Sequence, residues 1–134
     1  EMGILVMGTL HTNGAAQTVD RMVNVFPADK QAHVRTMLST SLRGVISQQL
    51  LQTADKSGRV AALEIMVNTP AVSNLIRQGK LDQLETAMQS GSQFGMRTMD
   101  SAIQALLDQK IVTGKEAYKK GINKAKFEPI KDQE

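Results

Sequence analysis

The distribution of apolar and polar residues predicts a strand-rich first half and a helical second half. Residues 4–10 carry no charge and do not alternate with polar residues, which predicts a strand covered on both faces, as in a parallel sheet. Residues 45–51 and 59–67 predict two further strands, and the polar, turn-like residues 53–58 predict that a hairpin joins them. The spacing of apolar residues predicts a helix that starts at Asn13 or Gly14 and runs to about Val25, and a second helix over residues 27–41.

Helix signals dominate after residue 68. Thr69 followed by Pro70 predicts the start of a helix that covers residues 71–77 and ends near Gly79. Further helices are predicted over residues 80–88, from about residue 100 to 109, and over residues 114–125. We therefore expect an α/β protein in which residues 1–68 form one unit and residues 69–126 form a helical subdomain. Residues 127–134 are expected to be a frayed tail.

Three strands and about six helices do not complete a doubly wound sheet. The predicted first strand also lies almost at the start of the sequence, without preceding residues to form the neighbours that a buried central strand needs. We therefore expect this chain to be the back portion of a larger protein.

The composition narrows the possible functions. There are no cysteines, which excludes disulfides, thiolate zinc sites and a thiol nucleophile. The four aromatic residues are too few for a base-stacking nucleic-acid module, so no nucleic-acid partner is expected. A lysine cluster near the C-terminus supplies much of the net charge of +3, and it indicates either a basic binding patch or a solvated terminal helix. No apolar segment reaches the ~20 residues of a transmembrane helix.

A small polar cluster follows the predicted first strand. It contains Thr9, His11, Thr12 and Asn13, and in open α/β sheets ligands bind at such carboxyl ends of strands. His11 has two interpretations: it donates a hydrogen bond to a phosphate or positions a water, or it is a structural histidine bonded to a backbone carbonyl. Arg21, on the following helix, either reaches a phosphate or carboxylate across a subunit boundary or is an exposed helical arginine.

Motifs of a complete active site are absent from the sequence. There is no phosphate-binding loop of the form G-x-x-x-x-G-K-[ST], whose glycines let backbone N–H groups surround phosphates. No acidic residue at a strand end offers a magnesium ligand. A serine nucleophile elbow, a zinc-protease motif and paired catalytic carboxylates are also missing. We therefore predict neither a metal site nor a self-sufficient catalytic site in this chain.

Collinear segments carry a resemblance that extends from residue 1 to about residue 118. They are GTLHTNGAA at 8–16, TVDR at 18–21, VFPA at 25–28, VISQ at 45–48, EIMVNTPA at 64–71, NLIR at 74–77 and GMRTMD at 95–100. In these segments the chain resembles the C-terminal part of the PilT-like type IV pilus retraction ATPases, also called twitching-motility proteins.

The resemblance implies a fold, an activity and partners. The fold would be part of a RecA-like ATPase core, with three strands plus helices, followed by an all-helical C-terminal unit. The whole protein would be a homohexamer in the cytoplasm, peripheral to the inner membrane at the pilus base, that hydrolyses ATP with Mg²⁺ to retract the pilus. An inner-membrane pilus platform protein would be its partner. Because the phosphate-binding loop would precede Glu1, the isolated chain is expected to be inactive and to bind no nucleotide tightly.

The resemblance also implies roles for particular residues. His11 falls on the family's His box, near the terminal phosphate of the nucleotide, and Arg21 belongs to the same motif, so both are catalytic candidates. Thr9, Thr12 and Asn13 would be close to the nucleotide. The family's retraction motif falls on one short segment, consisting of Ala71, Val72, Ser73, Asn74, Leu75, Ile76 and Arg77. The chain departs from the common motif at Ser73, where the family has arginine, and at Gln78, where it has glutamate.

Two alternative functions remain open at this point. Related pilus-assembly and type II secretion ATPases commonly carry a four-cysteine zinc insert after the strand that corresponds to residues 45–51. Here residues 52–58 are short and contain no cysteine, which favours retraction over assembly. The other alternative is a non-enzymatic interaction module that uses the helical half. The missing catalytic loop favours this module, whereas an incomplete sheet with an exposed strand edge disfavours it.

Overall fold

The structure is a computed structural model that describes residues 2–134, so residue 1 of the predicted first unit lies outside the described residues. The first half contains helices α1 (Ala15–Asn24) and α2 (Gln31–Ser41) and strands β1 (Gly44–Gln52) and β2 (Arg59–Val67). The second half contains α3 (Pro70–Gln78), α4 (Leu84–Gln89), α5 (Met99–Asp108), α6 (Gly114–Lys120) and α7 (Lys124–Phe127). Short 3₁₀ turns cover Ala28–Lys30, Leu81–Gln83, Ser92–Phe94 and Glu128–Ile130.

The predicted α/β class is confirmed, with two strands rather than three. The strands β1 and β2 pair as an antiparallel hairpin in a register from Gly44 opposite Val67 to Gln52 opposite Arg59. The predicted first strand is wrong for this structure, because residues 4–10 form no strand and pair with none of the described residues. Without a neighbouring strand their backbone groups have no ladder to join, and side chains such as Val6, at 81% exposure, lie in solvent.

Helix α3 begins and ends where its sequence signals predict. The Thr69 side chain accepts a hydrogen bond from the Val72 N–H, and Pro70 occupies the first helical position. Gly79 follows the last residue with φ 71°, a left-handed conformation that glycine adopts without steric cost. The helix therefore has caps at both ends.

The C-terminal prediction needs two corrections. The single helix expected over residues 114–125 is two helices, because the backbone is extended at Gly121 and the Asp100 carboxylate accepts hydrogen bonds from the next two N–H groups. The expected fraying from residue 127 is not observed. The Phe127 side chain is fully buried, and the Lys115 N–H donates to the Gln133 carbonyl at 2.8 Å. The sequence of the tail is mostly polar, so it did not predict this packing.

Two apolar cores lie against the inner face of the hairpin. The first is centred on Val19, Met66 and Ile76, and the second on Leu51, Ile103 and Phe127. Each core draws residues from both sides of residue 68, so the hairpin connects the two halves of the chain by packing. The boundary at residue 68 itself stays a prediction.

Within residues 2–134, no helix has both the length and the apolar character required to cross a membrane.

Candidate functional site

The predicted site residues lie in the loop that leads into α1. Thr9 and His11 are exposed, and Thr12 is half-buried. The Thr12 hydroxyl lies 2.7 Å from the hydroxyl of Thr18, whose own proton is donated to the Gly14 carbonyl at 2.8 Å. A hydroxyl has one proton, so Thr12 is the donor of the pair. The loop is thereby bonded to the first turn of α1.

His11 and Arg21 meet through the backbone rather than through the imidazole. The Arg21 Nη1 donates to the His11 carbonyl oxygen at 2.8 Å, ten residues apart in sequence. Nearer the start of α1, the Asn13 N–H donates to the Gln17 side-chain oxygen at 2.7 Å. Arg21 therefore holds the loop against α1, while the His11 side chain remains exposed and free to contact a ligand.

Glu64 lies beneath this loop and was not identified from the sequence. Its side chain is 4% exposed, and its two carboxylate oxygens accept hydrogen bonds from two different helices. Oε1 accepts from the Ala15 N–H at 2.7 Å, and Oε2 accepts from the Met99 N–H at 3.0 Å. These are the first residues of α1 and α5, where unpaired N–H groups and the helix dipole favour a negative charge. A Cβ added at Gly14, whose φ is 141°, would lie 3.4 Å from Oε1, so the loop passes closely over the carboxylate.

A sequence signal for Glu64 exists. The inward positions of β2 alternate, and Ala62, Glu64 and Met66 share that face. A charged residue on an otherwise apolar face is costly unless it is hydrogen-bonded, so its presence indicates buried partners. The two partners lie 49 and 35 residues away in the sequence, so no local sequence pattern identifies them.

Two further acidic residues lie near the Glu64 carboxylate. Asp100 is 5% exposed, and its carboxylate oxygens accept from the N–H groups of Ile122 and Asn123 at 2.7 and 3.0 Å. On α4, partial burial raises the pKa of Glu85, and the negative charges of Asp100 and Glu64 raise it further. In the described part of the chain, no three acidic or histidine side chains converge closely enough to hold a metal ion.

The segment expected to form the retraction motif lies on α3. Its buried side is formed by Val72 and Ile76, both fully buried, and the half-buried Ser73 hydroxyl donates to the Ser39 carbonyl at 2.6 Å. Asn74 and Arg77 are exposed, and the Arg77 Nη1 lies 3.2 Å from the Asn74 Oδ1. The remaining members of the segment are Ala71, which is exposed, and Leu75, which is half-buried.

An open groove of about 550 Å³ lies between the end of α2 and the start of α3. Arg43 and Arg77 line it, together with Asn68, whose Nδ2 donates to the carbonyls of Ser39 and Leu42. No acidic residue lines the groove. None of residues 9–13 lines it, so the groove does not join the two predicted sites.

Comparisons with known proteins agree with the sequence motifs. The family described as "Type II/IV secretion system protein" matches residues 1–57. The twitching motility protein of Neisseria gonorrhoeae is 51% identical over 123 residues, covering 92% of this chain and 33% of that protein. The type IV pilus retraction ATPase PilT of Pseudomonas aeruginosa is 49% identical over 120 residues, covering 90% of this chain and 35% of that protein. The chain thus spans about a third of the length of these relatives.

The fold is also similar to a solved structure. That structure is described as the pilus retraction motor PilT with bound ADP, and it superposes with a TM-score of 0.84 at 39% sequence identity. The match covers 96% of this chain and 36% of the solved one. The predicted resemblance to PilT-like type IV pilus retraction ATPases is therefore confirmed, and the chain corresponds to about a third of such a protein.

Proposed function

We propose that this chain is part of a hexameric ATP-hydrolysing motor that retracts type IV pili and supports twitching motility. The observation that carries the proposal is the loop before α1, in which Arg21 fixes the His11 backbone at 2.8 Å and leaves the imidazole exposed. The names of the relatives, a retraction ATPase and a twitching motility protein, support it. The motor would act in the cytoplasm at the pilus base, against an inner-membrane platform protein.

In this proposal the loop contacts the terminal phosphate of the nucleotide. The His11 imidazole donates a hydrogen bond to a phosphate oxygen or orients the attacking water. Thr9, Thr12 and Asn13 supply hydroxyl and amide groups on the same side. Bound ATP with Mg²⁺ provides the phosphoryl group and its charge neutralisation. The phosphate-binding loop is absent from these 134 residues, so the chain alone is not expected to hydrolyse ATP.

The hairpin turn supports retraction over the assembly alternative. Residues 53–58 close with a hydrogen bond from the Thr53 N–H to the Gly58 carbonyl at 3.0 Å. A zinc insert after β1 would need cysteines and a longer connection, and this turn has neither. The exposed Asn74 and Arg77 of α3 offer a polar surface for the retraction motif to contact a partner.

The proposal is tested by His11→Ala in the whole protein. We expect ATP turnover to fall by about 10²-fold, as for loss of a positioned proton donor, while the hexamer still assembles. His33→Ala is the matched control, because His33 is an exposed histidine on α2, away from the loop. Turnover is measured by phosphate release and assembly by light scattering. Wild-type turnover in His11→Ala would exclude the phosphate-contact role.

A further inference from the structure

We propose that Glu64 is a positioning residue that couples the His11 loop and the start of α1 to the start of α5. The proposal starts from its place on β2. Met66, two residues further along the same face, belongs to the first core, and Ala62, two residues before, belongs to the second. Glu64 is therefore the charged position between two apolar cores, opposite the buried Ser47 of β1, and each carboxylate oxygen bonds to a helix of a different core.

The start of α5 is firmly attached to β2. Ile65 and Arg97 exchange both backbone hydrogen bonds, at 2.9 and 3.0 Å, immediately before α5 begins. The Thr98 hydroxyl then accepts from the Ser101 N–H at 3.2 Å. A shift of this helix start therefore moves the Glu64 carboxylate or breaks its bond to Met99.

The other carboxylate oxygen transmits that shift to α1. Because Glu64 is buried, an oxygen that loses its N–H partner has no water to replace it. Keeping both bonds therefore favours joint movement of the two helix starts. The loop above them carries His11, so a displacement at the phosphate-contacting end would reach α5 through one side chain. The relevance to turnover rests on the proposed function, whereas the mechanical coupling does not.

The coupling is tested by hydrogen exchange of backbone amides in the 134-residue chain. Thr98→Ala removes the hydroxyl that caps the start of α5 and leaves the Glu64 side chain unchanged. Thr113→Ala is the matched control, because the Thr113 hydroxyl caps α6 by accepting from the Glu116 N–H at the same distance of 3.2 Å. The reporter is the Thr18 amide in α1, which bonds to the Gly14 carbonyl. We expect Thr98→Ala to lower its protection roughly fivefold and Thr113→Ala to leave it unchanged.

Glu64→Gln then removes the link. The glutamine side chain has one oxygen and one NH₂ group, so its NH₂ group faces one of the two backbone N–H donors. Only one of the two bonds to the helix starts therefore survives. In this background Thr98→Ala should no longer affect the Thr18 amide. A persistent effect, or an equal effect of Thr113→Ala, would overturn the proposal. If Glu64→Gln does not fold, the two cap variants in the wild-type chain still test the proposal, since equal effects of Thr98→Ala and Thr113→Ala on the Thr18 amide would overturn it.

In the whole protein, Glu64→Gln should lower kcat about tenfold per folded hexamer and leave KM for ATP unchanged. Asp108→Asn, at an exposed acid at the far end of α5, is the control and should retain wild-type kcat. A merely structural role would reduce the yield of folded hexamer but not its kcat, and that result would overturn the positioning role. If His11→Ala retains turnover while the exchange coupling is present, the proposed function fails and the coupling stands.

Discussion

Replacing Phe127 by alanine tests whether the C-terminal segment completes the second core. The ring is fully buried in the second core and lies against the backbone of Gly121, where an added Cβ would overlap it. Truncation of such a ring costs about 4 kcal/mol, because backbone surroundings collapse poorly into the cavity. Total stabilities are only about 5–15 kcal/mol, so this loss is at least about a quarter of the free energy of unfolding. With an unfolding entropy of about 2.1 cal/mol/K per residue, the 134-residue chain should lose about 14 °C in Tm.

The assay is urea unfolding of the 134-residue chain followed by circular dichroism, with thermal unfolding alongside. Phe94→Ala is the matched control, since that ring is 55% exposed and its loss should cost at most about 1 kcal/mol. If Phe127→Ala and Phe94→Ala have the same unfolding free energy, the tail does not pack in solution. The reasoning from burial would then be refuted, and the fraying expected from the sequence would be correct.

Two other substitutions test local features. Gly121→Ala adds a Cβ that overlaps the Phe127 ring, so urea unfolding should show a loss of about 1–3 kcal/mol; an unchanged midpoint would show that the ring moves freely. In the hairpin turn, hydrogen bonds from the Ser57 hydroxyl and N–H, and from the Thr53 hydroxyl, lower the pKa of Asp55 to about 2. Its contribution to stability is present above the ordinary pKa of 3.8 and is lost as the pH falls through about 2. Ser57→Ala should raise this pKa toward 3.8 in an NMR titration of the carboxyl carbon, and an unchanged midpoint would contradict the assignment.

Elements with local signals were predictable from the sequence. The hairpin was predictable, because two strand-like segments, residues 45–51 and 59–67, flank the polar, turn-like residues 53–58. Helix α3 was also predictable, because Thr69 and Pro70 mark its start and Gly79 marks its end within one short segment. The start of α1, predicted at Asn13 or Gly14, was correct to within two residues, since Gly14 directly precedes its apolar stripe.

Features that depend on distant partners were not predictable in the same way. The apolar residues 4–10 carry the pattern of a buried strand, but a strand exists only where another strand accepts its hydrogen bonds. Phe127 stands in a polar tail, and only the fold brings Gly121 and the second core to it. For the site, the loop of His11 was located from its polar residues, whereas the backbone bond from Arg21 needed the structure. Glu64 bonds to amides 35 and 49 residues away, which no local pattern reveals.

The bonds of Glu64 also have an evolutionary consequence. Both of its partners are backbone N–H groups, so any residue except proline can supply them at positions 15 and 99. The side chains at positions 15 and 99 are constrained by the apolar cores in which they are buried and not by their bonds to Glu64. Selection on the two hydrogen bonds therefore falls on the side chain at position 64 and not on those at positions 15 and 99. Methods that infer contacts from co-varying pairs would miss the link between α1 and α5, although a single carboxylate joins them in the fold.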